Sequence, residues 1–122
     1  MDSAKILLID SNKEDLDSLS SLLGEKGYNV ICADSGREGV KKAAEEKFDL
    51  IITEVLLADI KAGQLCSKLR KKKAVPVIVL SSNDEANDIE DLLQKGIADY
   101  IIKPPRPSYL LSRIEMYIST KR

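Results

Sequence analysis

Phe48-Asp49-Leu50-Ile51-Ile52-Thr53-Glu54-Val55-Leu56-Leu57 is the stretch that decides the fold. Its apolar run is rich in β-branched residues and bounded by charge, the pattern of a strand buried on both faces, and Glu54 stands where that strand ends. In an open α/β sheet, ligands bind outside the carboxyl ends of the strands, so a carboxylate at this point is a candidate site residue. A lone Glu there would read as the first residue of a solvated loop. Glu54 is not alone, because Asp10, Ser81 and Lys103 each follow an apolar run in the same way.

Toward the N-terminus, Lys5-Ile6-Leu7-Leu8-Ile9 is a continuous apolar run that stops at Asp10, as a central parallel strand would. Ser11-Asn12-Lys13-Glu14 has the spacing of a capping box, Leu16, Leu19, Leu22 and Leu23 follow at helical spacing, and Gly27 suits a left-handed stop. Residues 28–33 form a short strand. A second capping box, Ser35-Gly36-Arg37-Glu38, then leads into Val40, Ala43 and Ala44.

Toward the C-terminus, the loop Leu57-Ala58-Asp59-Ile60-Lys61 precedes a third helix marked by Leu65, Cys66 and Leu69. That helix ends in Arg70-Lys71-Lys72-Lys73, a run read as a solvated helix end favoured by the macrodipole and assigned no partner. Residues 75–80 are a buried strand with Pro76 at its entrance, where no ladder bond is lost. Ser82 to Glu85 has a third capping-box spacing, Ala86, Ile89, Leu92 and Leu93 form one helical stripe, and Asp88, Glu90 and Asp91 make the other face acidic before Gly96 ends the helix. Asp99-Tyr100-Ile101-Ile102 is the fifth strand, closed by Lys103-Pro104-Pro105, and Pro107 opens a last helix running to about residue 119. Five β-α units with short connections predict an α/β fold, a parallel sheet covered by helices on both faces.

Composition bounds the function. A chain of 122 residues, 32% charged but with a net charge of −1, lacks the basic excess that general nucleic-acid binding needs, so no nucleic acid is expected through this domain. Cys32 and Cys66 have no metal-ligand spacing and the chain has no histidine, which predicts buried free thiols in a reducing compartment. The first residues are too short and too quickly charged for a signal peptide, and no apolar run approaches the ~18 residues of a membrane span. The expectation is a cytoplasmic, soluble protein with residues 1–122 as one domain and no membrane association.

Over nearly its full length the chain resembles the receiver domain of bacterial response regulators. Ile6-Leu7-Leu8-Ile9-Asp10 is similar to that family's acidic first loop, Asp49-Leu50-Ile51-Ile52-Thr53-Glu54 to its phosphoacceptor strand, and Pro76-Val77-Ile78-Val79-Leu80-Ser81 to the strand bearing its switch hydroxyl. The run Gly96-Ile97-Ala98-Asp99-Tyr100-Ile101-Ile102-Lys103-Pro104 resembles its aromatic switch and Lys-Pro turn. The resemblance implies a flavodoxin-like doubly wound sheet of strand order 2-1-3-4-5 with five helices, and a typically cis Lys-Pro bond. It also implies a phosphorelay role in two-component signalling, in which a histidine kinase or phosphotransfer protein delivers a phosphoryl group to an aspartate with Mg²⁺ assisting. The cation offsets carboxylate charge, the Lys ammonium and a hydroxyl hold phosphate oxygens, and the new dianion biases a two-state switch.

Departures from the family pattern shape the functional expectation. Glu54 takes the phosphoacceptor position, and its extra methylene moves the carboxylate by over ~1 Å in a site that works by positioning. Ser11 replaces the first loop's second acid, leaving two carboxylates where the family has three; the metal set, Asp10, Glu54 and Leu56, is therefore weakened rather than excluded. Ala58, Lys61, Ala62 and Pro105 also depart from the pattern, whereas Asp10, Ser81, Tyr100, Lys103 and Pro104 are retained. The chain is expected to be a pseudo-receiver, an interaction module rather than an enzyme, in which Glu54 reaches toward Lys103 and Ser81. A phosphorylatable receiver with a relaxed pocket is the alternative. A small flavodoxin-like enzyme or nucleotide binder is disfavoured by the lack of a glycine-rich cradle and of a histidine base.

On the last helix, Leu110, Leu111, Ile114, Tyr117 and Ile118 fit one core arc, with Tyr109 and Met116 outside it. Together with Tyr100 these form a candidate apolar patch. The resemblance implies that the surface of the fourth helix, fifth strand and last helix is where receivers form homodimers or meet output domains.

Overall fold

The computed structural model describes residues 3–72 and 74–121, with side chains to residue 119. Its elements run β1 (Lys5–Ile9), α1 (Lys13–Glu25), β2 (Asn29–Ala33), α2 (Gly36–Glu45), β3 (Leu50–Thr53), α3 (Ala62–Leu69), β4 (Val77–Ser81), α4 (Ala86–Gln94), β5 (Asp99–Ile102) and α5 (Pro107–Lys121). The strands form one sheet in the order β2-β1-β3-β4-β5, every neighbouring pair parallel. The flavodoxin-like α/β architecture expected from the sequence is therefore the one observed.

Alternation along each strand builds two cores. On one face Leu7, Ile9, Ile51, Val77 and Val79 pack against Ala43 of α2, Leu65, Cys66 and Leu69 of α3 and Leu92 of α4. On the other, Ile6, Leu8, Leu50, Ile52, Ile78 and Leu80 pack against Leu19 and Leu23 of α1 and Leu110, Ile114 and Ile118 of α5. Both faces of β1, β3 and β4 are covered, which is why those strands read as unbroken apolar runs instead of alternating ones.

The ends of two helices depart from the capping boxes read in the sequence. Asn12, not Ser11, caps α1: its side-chain oxygen accepts from the Asp15 amide at 3.0 Å. Asp10 causes the shift, because its Oδ1 accepts from the Asn12 amide at 2.9 Å and turns the chain one residue later. At α4 the Ser82 box does not form; the N-cap is Glu85, without a side-chain cap bond, while Asn83 Oδ1 accepts from the Glu85 amide at 3.1 Å. Ser35 caps α2 as expected, accepting from the Glu38 amide, although Glu38 reaches back to the amide of Asp34 rather than that of Ser35. Gly27 and Gly96, with φ of 89° and 102°, supply the left-handed turns after α1 and α4. Lys73, the last residue of the basic run, lies outside the described residues.

Candidate functional site at the carboxyl edge of the sheet

The strand order reverses between β1 and β3, so the residues following those strands meet at the switch point of the sheet. Asp10 follows β1, Glu54 follows β3, Ser81 ends β4 and Lys103 follows β5. All four expected side chains converge. Asp10, Glu54 and Ser81 are buried at 3%, 6% and 0% exposure.

Lys103 is the hub. Its ammonium donates to Asp10 Oδ2 at 2.7 Å, Asp15 Oδ2 at 2.9 Å and Glu54 Oε1 at 3.0 Å. An ammonium has three donors, and here each is spent on a different carboxylate. Burial acts to lower the Lys103 pKa, but the hydrogen bonds to Asp10, Asp15 and Glu54 outweigh it and hold the group above its ordinary value. The Lys103-Pro104 bond is cis, matching the resemblance.

Glu54 is held from both sides. Its Oε2 accepts from the amides of Val55 at 2.8 Å and Leu56 at 3.0 Å, while Oε1 takes the Lys103 bond. Burial alone would raise this carboxyl. Hydrogen bonds from the Ser81 hydroxyl, the Leu56 amide, Lys103 and the Val55 amide more than offset it, so Glu54 titrates below the ordinary Glu value. The expected reach of Glu54 toward Lys103 is thus present, while the bond drawn to Ser81 Oγ comes from the Asn83 amide.

Asp15 was not among the residues singled out from the sequence. Its position in the first turn of α1 reads as an acid favoured by the helix dipole. Only the packing of α1 beside the β5-α5 turn shows that its carboxylate takes a Lys103 donor. Ser11, by contrast, is exposed at the mouth of the site. A cavity of about 820 Å³ opens there, lined on its polar side by Asp10, Asp15, Glu54 and Lys103 and on its apolar side by Leu19, Leu22 and Pro105.

A Mg²⁺ ion at this site would share its carboxylate donors with Lys103. Asp10 Oδ2 and Glu54 Oε1 already accept from the ammonium, and Glu54 Oε2 is turned onto two backbone amides. Among the described residues, no group of three or more His, Cys, Asp or Glu side chains is disposed to hold a metal ion.

Tyr100 points inward more than the sequence implied. It is half-buried, and its hydroxyl donates to the Asn83 carbonyl at 2.6 Å, while Ser81 Oγ accepts from the Asn83 amide at 3.2 Å. The β4-α4 loop is therefore held at Asn83 by residues of two strands. Tyr109 and Met116 are exposed as expected, at 48% and 43%, and Leu93, read from periodicity as part of the α4 stripe, is exposed instead because Leu92 alone of that helix is buried against the sheet; Ile102 adds exposed apolar surface on β5.

Comparison with known proteins agrees with this fold. The sequence model of the response regulator receiver domain matches residues 6–115. The chain is 36% identical over 112 residues to the alkaline phosphatase synthesis transcriptional regulatory protein PhoP of Bacillus subtilis, an alignment covering 91% of this chain and 47% of PhoP. It spans about half the length of the curated relatives it matches. Among solved structures, a CheY-like response regulator receiver domain protein from Methanospirillum hungatei superposes with a TM-score of 0.94 at 27% identity, covering 98% of this chain and 97% of that one. The receiver domain of a sensor histidine kinase from Pseudomonas aeruginosa, solved with magnesium coordinated in its active-site cleft, superposes with a TM-score of 0.87 at 26% identity, covering 97% and 99%.

Proposed function

Because this chain belongs to the response regulator receiver domain family, we propose that it is a pseudo-receiver, a signalling module that works by protein-protein interaction without accepting phosphate. One observation carries the proposal: the Glu54 carboxylate has both oxygens committed, Oε1 to Lys103 and Oε2 to the amides of Val55 and Leu56. A nucleophile for phosphoryl transfer needs an oxygen aimed at the incoming phosphorus, with the Lys ammonium free to meet the phosphate. Here the ammonium is saturated by three carboxylates. Glu54 thereby acts as a partial stand-in for an acyl phosphate, with one charge and two acceptors in place of nearly two charges and three oxygens.

Receiver domains typically bind Mg²⁺. In this chain Asp10, Glu54 and the Leu56 carbonyl would hold it, with weakened affinity because the ion competes with Lys103 for the same carboxylates. The partners are signalling proteins of a two-component pathway, a histidine kinase, phosphotransfer protein or output domain. The α4-β5-α5 surface, with Tyr109 and Met116 exposed and Tyr100 behind them, is the proposed place for homodimer or output contacts. No helix among the described residues is long and apolar enough to cross a membrane.

The test is intact mass after incubation with a small-molecule phosphodonor and Mg²⁺, on the native chain and on Glu54→Asp in parallel. The expected result is an unmodified native chain and a labelled variant, which assigns the block to the added methylene. A phosphoryl group on native Glu54, labile to hydroxylamine, would overturn the proposal. It would also place this chain with its relatives as a phosphorylatable receiver.

A further inference from the structure

Away from the site, α3 and the end of α4 border a shallow groove lined by Lys61, Lys68, Arg70, Lys71 and Lys95, with Gln64 and Ser67 adding polar groups between them. Among the described residues no carboxylate lines it. In a chain whose net charge is −1, this gathers five of 19 basic residues in one place. Two of the five are committed to the fold: Arg70 donates to the Lys95 carbonyl at 2.6 Å, and Lys95 pairs with Asp91 at 2.9 Å. Lys61, Lys68 and Lys71 are exposed and make no salt bridge among the described residues.

Immediately beside the groove the sign reverses. On α4, Asp88 and Asp91 share one stripe with Lys95 at ~100° per residue, and Asp84, Glu85 and Glu90 surround them, all exposed. The Lys95–Asp91 pair marks the seam, and the Lys95 ammonium lies 3.3 Å from where a Cβ on Gly63 of α3 would stand, so the two helices adjoin there. One face thus has a basic half and an acidic half.

No partner of a single sign satisfies both halves. A nucleic-acid backbone leaving the groove would meet the α4 carboxylates, and an acidic peptide following the groove would be repelled by them. A second copy turned by a two-fold axis presents acid to base and base to acid at once, the self-complementarity that an isologous contact requires. We propose that the α3-α4 face is a surface through which two copies of this chain associate, the basic groove of each against the acidic α4 of the other. The proposal rests on surface charge and is independent of how Glu54 is read.

The experiment is sedimentation velocity over a concentration series on four samples: the native chain, Lys68→Glu/Lys71→Glu, Asp88→Lys/Asp91→Lys, and an equimolar mixture of the two variants. Circular dichroism checks that each folds. The native chain is expected to dimerise at about 0.01 M salt and to weaken by about tenfold or more at about 1 M, as the Debye length falls from about 30 Å to about 3 Å. Each variant alone should lose this salt-sensitive dimer, and the mixture should recover it. A native chain that stays monomeric at low salt would overturn the proposal, as would a dimer that persists in the lysine variant or a mixture that fails to recover it. A polyglutamate peptide or duplex oligonucleotide binding the groove of a monomeric chain would also overturn it and reassign the groove to that ligand.

Discussion

Lys103→Met probes the hub directly. The substitution keeps the apolar stem of the side chain but removes the one cation that three carboxylates share. Removing one partner of a buried ion pair typically costs about 3–5 kcal/mol, because the other charge stays buried without compensation. Asp10 and Glu54, with side chains 4% and 7% exposed, are both left in that condition. The cost should fall at the low end, about 3 kcal/mol at pH 7, because Asp10 keeps its Asn12 amide and Glu54 keeps those of Val55 and Leu56. Asp15, with 41% of its side chain exposed, can turn to solvent, so Asp15→Asn should cost well under about 1 kcal/mol.

The pH dependence is the sharper test. In the native chain the Glu54 pKa is lowered, so its contribution is present above the ordinary Glu value of 4.5 and is lost as pH falls through the folded value. In Lys103→Met the bond from the ammonium is gone and burial, which raises the Glu54 carboxyl, is less opposed, so the variant loses part of its penalty as Glu54 protonates. Urea unfolding followed by far-ultraviolet circular dichroism, at neutral pH and just above the Glu range, should show the gap between the two chains narrowing on acidification. A variant as stable as the native chain at neutral pH, or a gap that widens in acid, would refute the assignment of Lys103 as the charge that holds this cluster together.

Gly36→Ala should destabilise the fold by about 1–3 kcal/mol, because its Cβ would overlap Ile60 Cγ2; Ile60→Ala should relieve part of that cost in a double-mutant cycle measured by denaturation. Asp59 accepts from the amides of Arg37 at 2.8 Å and Gly36 at 3.1 Å, clamping the β3-α3 loop to the start of α2. Those bonds, the Arg37 amide foremost, hold its carboxyl below the ordinary 3.8, so Asp59→Asn should lower Tm at neutral pH by more than it does once pH falls through the folded value. Burial pushes the Cys66 thiol up to about 11 despite Lys95 and Arg70 nearby, so a thiol reagent at mildly alkaline pH should leave Cys66 unmodified until the protein is unfolded, which peptide mapping by mass spectrometry would show. Tyr100→Phe removes the bond to the Asn83 carbonyl and should cost about 0.5–1.5 kcal/mol in chemical denaturation.

What was legible in the sequence follows from how each feature is determined. β1, β3 and β4 are buried on both faces, so their apolar runs announce them and fix which residues stand at their carboxyl ends. That is why Asp10, Glu54, Ser81 and Lys103 group together on sequence alone: each is placed by a strand, and the strand order brings them together. Ser11 was misread as a cap because capping-box spacing is local, whereas the Asp10 carboxylate decides which residue turns onto the helix. Asp15 was missed for the complementary reason. Lys103 lies 88 residues away, and an acid in a first helical turn is already explained by the dipole, so nothing in the local pattern asks for a distant partner. The same limit applies to the basic run after α3. Read along the chain, Arg70, Lys71 and Lys72 are a solvated helix end; beside Lys61, Lys68 and Lys95 in space, two of them become part of a groove whose sign opposes the helix next to it. Strand-placed chemistry can be read in one dimension, but charge that acts across helices becomes visible only when the helices are set side by side.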